Sequence, residues 1–166
     1  MDVAALDRRI LRAVSSARRP WLDPFVRRYS RLGDYGVGWV ALGACVAAVR
    51  QEPVIAAGTA AAVWGTLGAN YAIKRVVRRE RPPGEVAPVL ARAPASPSFP
   101  SAHAAMSVVA VAVLARSAPG ALPALAVAGA AMIVSRVYLA VHYPSDVLAG
   151  ALVGGAAAGV VALAAR

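Results

Sequence analysis

Three short polar clusters interrupt an otherwise apolar chain, and each carries residue types that bind or transfer phosphate. In chain order they are Lys74-x6-Arg81-Pro82, Pro100-Ser101-Ala102-His103 and Ser135-Arg136-x5-His142-x3-Asp146. Both histidines of the protein lie in these clusters. Because ionisable groups beside apolar segments are costly and tend to mark functional sites, the three clusters are the candidate site.

The clusters contain the parts of a pocket for an oxyanion. Positive charge would come from Lys74, Arg81 and Arg136. The planar fork of a guanidinium group suits phosphate oxygens. Ser101 and the backbone N–H groups of Ala102 and His103 come at a predicted helix N-terminus, where unpaired donors and the helix dipole favour an anion. Such a pocket would bind phosphate with no metal and no cofactor.

An imidazole on either side of a bound phosphoryl group would complete a reaction. His142 and Asp146 are four residues apart, so the carboxylate can hold the tautomer that leaves one ring nitrogen free to attack phosphorus. His103 can protonate the leaving alkoxide, since the unperturbed pKa of an imidazole, about 6.5, suits general acid–base catalysis. Water would then hydrolyse the phosphohistidine. These residues predict a metal-independent phosphomonoesterase.

Each cluster also has a purely structural explanation. Lys74 and Arg81 could anchor a helix end among lipid headgroups, His103 could be a hydrogen-bonded structural residue, and Asp146 could cap a helix. A membrane scaffold that holds anionic headgroups is the corresponding non-enzymatic alternative. It leaves the two histidines and Asp146 without a role, so the enzymatic interpretation is favoured.

The elements that must position these clusters are predicted to be membrane helices. The chain has 166 residues, 59% of them hydrophobic and 16% charged, with a mean hydropathy of +0.59. Uncharged windows cover residues 35–49, 53–73, 93–115, 117–135 and 147–165. Because about 20 apolar residues cross a bilayer, we expect an all-α bundle of about five transmembrane helices. The third helix should begin near Ser101.

Residues 1–31 are predicted to form an N-terminal segment at the membrane interface. Val3, Leu6, Ile10 and Val14 share one face of a helix, although Asp7 interrupts that apolar stripe. The segment lacks the apolar run of a cleavable signal peptide, so we expect it to stay attached. Residues 1–166 are expected to form one membrane-embedded domain, with the catalytic clusters in 74–146.

Two pairs of glycines at four-residue spacing occur in the last window. They are Gly150 with Gly154, and Gly155 with Gly159. Such pairs allow helices to approach closely in a membrane. In a sequence this rich in Ala and Gly they also arise by chance, and the spacing alone does not separate the two explanations.

The distribution of charge predicts the orientation. Eight Lys and Arg residues precede the first predicted span, six lie between spans two and three, and one lies between spans four and five, which places fifteen of the eighteen on one side. The positive-inside rule assigns that side, with the N-terminus and the candidate site, to the cytoplasmic face of the plasma membrane. The net charge of +10 is then expected to contact anionic lipids rather than nucleic acid.

The three clusters, in this order, resemble the motifs of the type-2 phosphatidic acid phosphatase superfamily. The resemblance covers residues 74–146 and implies a helical bundle shared with vanadium-dependent haloperoxidases. It implies His142 as nucleophile, His103 as acid and base, and Asp146 as the orienting carboxylate. It further implies phosphate ligands at Lys74, Arg81, Ser101, Ala102 and Arg136. The family usually has Gly where this chain has Ala102, and we expect a helical N-terminal position that accepts Ala.

The predicted substrate is a lipid-linked phosphate whose tail stays among the helices. The short chain and its Ala- and Arg-rich composition resemble actinobacterial family members that remove the 5-phosphate from a decaprenyl-linked phosphoribose during synthesis of cell-wall arabinan. Undecaprenyl diphosphate, phosphatidic acid and phosphatidylglycerophosphate are the alternative substrates. The sequence leaves the oligomeric state open.

Overall fold

The computed structural model describes residues 2–91 and 95–164, which contain α-helices, short 3-10 turns and loops but no β-strand. The α-helices are α1 (Val3–Ser16), α2 (Asp23–Arg31), α3 (Val37–Arg50), α4 (Pro53–Val77), α5 (Ala102–Ser117), α6 (Leu122–Tyr138) and α7 (Pro144–Ala164). The prediction of an all-α bundle is confirmed.

Helix α5 lies at the centre of the bundle. Its residues Ala104, Ala105, Met106, Val109 and Leu114 are all buried, because α4, α6 and α7 pack around it. A helix that is apolar on every side is expected to be buried in this way. Since α5 begins at Ala102, the second polar cluster is held at the end of the most enclosed element.

Each of the five uncharged windows overlaps mainly with one α-helix, in order from α3 to α7. By length and composition, Pro119–Tyr138 and Pro144–Ala164 can each cross a membrane. The bent pair Asp23–Arg31 and Asp34–Arg50, at 52°, adds a third if it counts as one span. The outward face of α7 exposes large apolar side chains, which suits contact with lipid. They are Leu148, Leu152, Val160 and Leu163.

The two glycine pairs of α7 have different surroundings. A Cβ at Gly150 would lie 2.3 Å from the carbonyl oxygen of Ser101, and one at Gly154 would lie 2.4 Å from that of Ala105. Nothing lies within 4 Å of a Cβ at Gly155 or Gly159. The first pair therefore lets α7 pack directly on the backbone of α5.

Residues Val3–Ser16 of the N-terminal segment form the predicted helix. The side of this helix that packs on the bundle differs from the apolar side identified in the sequence. Asp7 and Leu11 are buried, with 2% and 0% of their surface exposed. Val3, Leu6 and Ile10 remain exposed. The helix thus docks through one narrow face and leaves apolar side chains pointing away from the bundle.

Candidate active site

A cavity of about 740 Å³ lies among α2, α4, α5 and the loop that precedes α5. Six of the eight predicted site residues line it. They are Lys74, Arg81, Ala102, His103, Arg136 and His142. The other two, Ser101 and Asp146, are fully buried behind it. The folded chain therefore brings all three polar clusters to one place.

The turn between α6 and α7 places His142 against this cavity. Ala140, two residues earlier, adopts a left-handed backbone with φ of 56°, which reverses the chain within a few residues. The carbonyl oxygen of Val141 accepts a 2.7 Å hydrogen bond from Nη1 of Arg81. The same Nη1 lies 3.3 Å from Nε2 of His142. Arg81 thus fixes the turn and lies beside the ring nitrogen that would attack phosphorus.

The other ring nitrogen of His142 points to the carboxylate of Asp146. Nδ1 lies 3.5 Å from Oδ2, which is too long for a well-formed hydrogen bond, so the neutral ring and the carboxylate face each other at the start of α7. Catalytic contacts are often long without substrate and shorten in the complex. This geometry suits an Nδ1–H tautomer with a lone pair on Nε2.

Burial lowers the pKa of His142 well below its ordinary value. The contact with Asp146 opposes this shift, whereas the charges of Arg81 and Arg136 reinforce it. With only 2% of its surface exposed, the imidazole is kept neutral at pH 7. A neutral imidazole is the form that a nucleophile requires.

Asp146 itself is held from two sides. Its Oδ2 accepts a 2.9 Å hydrogen bond from the backbone N–H of Tyr143. Its Oδ1 accepts a 2.7 Å bond from Nη1 of Arg79. Arg79 falls inside the six-residue gap of the first cluster, and its contact with Asp146 was not predicted from the sequence.

The second and third clusters are joined by a backbone bond. The N–H of Ser101, the residue that caps α5, donates to the backbone oxygen of Asp146 at 2.9 Å. The hydroxyl of Ser101 is buried with no hydrogen-bond partner among the described residues. Ala102 is the first residue of α5 and is not among the residues with positive φ, so the expectation of a helical position that accepts Ala is confirmed.

His103 contacts a carboxylate that the sequence did not single out. Its Nε2 lies 3.3 Å from Oδ1 of Asp34 and 3.2 Å from the carbonyl oxygen of Ser30. The two histidines therefore each have an aspartate neighbour. Asp34 lies in the bend between α2 and α3, far from the clusters in sequence, and no spacing pattern linked it to His103.

The three cations bind the segments that border the cavity. Lys74, 2% exposed, donates to the carbonyl oxygens of Pro97 at 2.6 Å and Ser98 at 3.2 Å. Arg81 donates to the carbonyl oxygen of Ser96 at 3.0 Å, and Arg136 donates to the hydroxyl of Ser30. These groups already bind oxygen acceptors, which is the chemistry that phosphate oxygens would use. Among residues 2–91 and 95–164, no three His, Cys, Asp or Glu side chains are grouped closely enough to hold a metal ion.

Residues 53–166 match the model of the PAP2 superfamily, a range that includes all three clusters. The chain belongs to this superfamily. Two mycobacterial proteins named decaprenylphosphoryl-5-phosphoribose phosphatase are similar along most of their length. The protein from Mycolicibacterium smegmatis is 39% identical over 137 residues, covering 81% of this chain and 74% of the relative. The one from Mycobacterium tuberculosis is 35% identical over 157 residues, covering 92% and 86%.

Solved PAP2 structures share the fold. Aquifex aeolicus LpxE superposes with a TM-score of 0.80 at 25% identity, covering 92% of each chain. The transmembrane PAP2 type phosphatidylglycerolphosphate phosphatase from Bacillus subtilis superposes with a TM-score of 0.74 at 24% identity, covering 96% of this chain and 84% of that one. Together with the family match, these likenesses confirm the predictions of a PAP2 phosphatase and of a membrane-protein bundle.

Proposed function

We propose that this PAP2 phosphatase removes the 5-phosphate of decaprenylphosphoryl-5-phosphoribose through a phosphohistidine at His142. The observation that carries the chemistry is the position of His142 at the wall of a cavity lined by five cationic side chains, with a guanidinium group beside Nε2 and a carboxylate facing Nδ1. The substrate is proposed from the two relatives that carry this name, which match most of the chain.

In the first step Nε2 of His142 attacks the phosphorus atom. A P–N bond forms, the bond between phosphorus and the ribose 5-oxygen breaks, and His103 donates its proton to the departing oxygen. The carboxylate of Asp146 stabilises the positive charge that develops on the His142 ring, since it faces Nδ1. His103 leaves this step as a neutral base.

In the second step His103 takes a proton from water, and the oxygen attacks phosphorus from the side opposite to His142. The P–N bond breaks, inorganic phosphate is released, and both histidines return to their starting states. Lys74, Arg81 and Arg136 offset the negative charge of the phosphoryl oxygens in both steps, where fixed charges in a water-poor site are most effective. At the N-terminus of α5, the hydroxyl of Ser101 and the backbone N–H groups of Ala102 and His103 add donors.

The outer surface of the bundle is proposed to contact the membrane and the lipid chain of the substrate. We place residues 1–166 in the plasma membrane as one multi-pass domain, with the decaprenyl chain among lipid acyl chains and the cavity at the cytoplasmic boundary. The exposed apolar face of α7 and the side carrying fifteen of eighteen basic residues support this placement. Anionic headgroups would be attracted to that basic side.

Thiol labelling in intact cells tests the orientation. Cys45, which is exposed, is first replaced by Ala so that it does not react. Glu85→Cys, in the loop before α5, should then be protected from a membrane-impermeant maleimide, whereas Arg116→Cys, at the far end of α5, should react. The reverse pattern would place the cavity outside the cytoplasm.

A substrate panel tests the function. Purified protein in detergent with EDTA is given decaprenylphosphoryl-5-phosphoribose, undecaprenyl diphosphate, phosphatidic acid and phosphatidylglycerophosphate, and phosphate release is measured. The proposal expects the highest kcat/KM for the phosphoribosyl lipid. Preference for another lipid would overturn the substrate assignment, and release that needs an added divalent cation would overturn the mechanism.

A further inference from the structure

A second buried carboxylate lies close to the catalytic turn and comes from the opposite end of the chain. Asp7 of α1 has 2% of its surface exposed, although the surrounding residues of that helix are largely exposed. A buried carboxylate is costly unless it is paired and hydrogen-bonded. The contacts of Asp7 therefore show what the N-terminal helix does.

Asp7 is bonded to the residue that precedes Asp146. Its Oδ1 accepts the backbone N–H of Ser145 at 2.9 Å, and its Oδ2 accepts the hydroxyl of the same serine. Oδ2 also accepts Nη2 of Arg79 at 2.8 Å. Both oxygens are thus used to hold the first turn of α7.

Arg79 connects the two carboxylates. While Nη2 binds Asp7, Nη1 binds Oδ1 of Asp146 at 2.7 Å and the hydroxyl of Ser145 at 2.7 Å. The guanidinium carbon lies 4.2 Å from the centre of the Tyr143 ring, so its plane is restrained as well. Asp7 and Asp146 raise the pKa of Arg79 against the opposing effect of its burial, so the bridging cation stays charged.

The bridge determines how Asp146 meets His142. Arg79 occupies Oδ1, which leaves Oδ2 for Nδ1 of His142. The guanidinium group of Arg79 is shared by two carboxylates, so the negative charge of Asp7 offsets part of the positive charge that acts on Asp146. Without Asp7 the full charge would act on Asp146, weaken it as an acceptor for Nδ1–H, and free the first turn of α7 to move.

We propose that Asp7 is a positioning residue of the active site, which acts through Arg79 to fix the carboxylate that orients the nucleophile. Helix α1 thereby contributes to the geometry of the active site, in addition to exposing apolar side chains on its outer side. It lies before residues 53–166, the range that matches the family model, so the family motifs do not include this contribution.

Neither Asp7 nor Arg79 lines the cavity, so loss of the bridge should affect the reaction rather than substrate binding. The proposal rests on the phosphatase function, and wild-type activity is therefore measured first. In Asp7→Asn an amide faces Nη2 of Arg79, and we expect kcat to fall about tenfold or more with KM changed less than about twofold.

Asp2→Asn is the matched control. It makes the same charge change on the same helix at an exposed capping residue and should leave both constants unchanged.

A double-variant cycle separates positioning from general destabilisation. If Asp7 acts through Arg79, Asp7→Asn combined with Arg79→Gln should lose no more kcat than Arg79→Gln alone. Where Asp7→Asn does not yield monodisperse protein, Arg79→Lys tests the same bridge, because its single ammonium nitrogen keeps the charge but replaces the two separate nitrogens with which Arg79 contacts Asp7 and Asp146. It should show the same fall in kcat at constant KM.

The outcomes are distinct. Wild-type protein that hydrolyses no lipid phosphate contradicts the proposed function itself. Active wild-type protein with a kcat of Asp7→Asn within about twofold of it, or with losses that multiply in the double variant, overturns the role of Asp7 alone.

Discussion

Replacing Gly150 by Ala should disrupt the active site from a position that has no catalytic group. The added Cβ would lie 2.3 Å from the carbonyl oxygen of Ser101 and 3.0 Å from Cβ of Ala104. Carbon and carbonyl oxygen atoms normally approach to about 3.3 Å, so α7 must move from α5 by about 1 Å. That interface joins Ser101 to Asp146 through a 2.9 Å backbone bond.

A misplacement of this size has a predictable effect on catalysis. A shift of about 1 Å between reacting groups costs about a hundredfold in rate, and overpacking of a helix contact costs about 1–3 kcal/mol of stability. We therefore expect Gly150→Ala to lower kcat/KM by about a hundredfold and to lower Tm. Phosphate release and thermal unfolding in detergent measure both.

Gly155→Ala is the control, because nothing lies within 4 Å of its added Cβ. Ala is a better helix former than Gly, so this variant should have normal activity and equal or higher stability, by up to about 1 kcal/mol. Normal kcat/KM in Gly150→Ala would refute the close approach of α7 to α5. Equal damage in both variants would instead point to a general effect on the helix.

Three further predictions concern the charged groups of the site. Asp34→Asn should move the alkaline limb of the kcat profile to lower pH, since the carboxylate 3.3 Å from Nε2 of His103 favours the protonated acid; an unchanged profile contradicts the pair. Burial holds the pKa of His142 in the folded protein below its unfolded value, so the unfolded state binds more protons. The contribution of His142 to the free energy of unfolding should therefore be fully present above about pH 6.5 and fall below that pH by up to about 1.4 kcal/mol per pH unit. Urea unfolding at pH 7 and pH 5 should show this contribution in wild-type protein and lose it in His142→Gln, and an equal pH dependence in both would rule it out. Lys74→Met should raise KM and increase hydrogen exchange at Ser98, whose carbonyl oxygen it binds; unchanged KM would exclude Lys74 as a phosphate ligand.

The polar clusters could be identified from the sequence because the residues of each cluster are close together along the chain. Lys74 with Arg81, and His142 with Asp146, are each close in sequence and carry residue types that stand out in apolar surroundings. The five apolar helices were predicted from the uncharged windows, each of which overlaps mainly with one helix of α3 to α7. Proximity along the chain was enough to identify the groups within each cluster, whereas the fold brings the three clusters together.

The contacts that support the catalytic residues form between segments that are distant in sequence, so the spacing of residues along the chain does not predict them. Asp34 reaches His103 only because the bend before α3 lies over the N-terminus of α5. Arg79 looked like one more basic residue in a loop rich in arginine. Asp7 did leave a signal, since a carboxylate interrupted an apolar stripe, but its partners at Ser145 and Arg79 appear only once the helix is docked.

The phosphohistidine is the most direct test of the mechanism. Wild-type protein is mixed with lipid substrate carrying ³²P in the 5-phosphate, quenched in alkali within milliseconds, digested and mapped, alongside His142→Gln. We predict label that is stable in base and labile in acid on the peptide containing position 142, and none in the variant, which also releases no phosphate. Steady phosphate release by His142→Gln, or wild-type label on the peptide containing position 103 instead, would contradict the assignment of His142 as nucleophile.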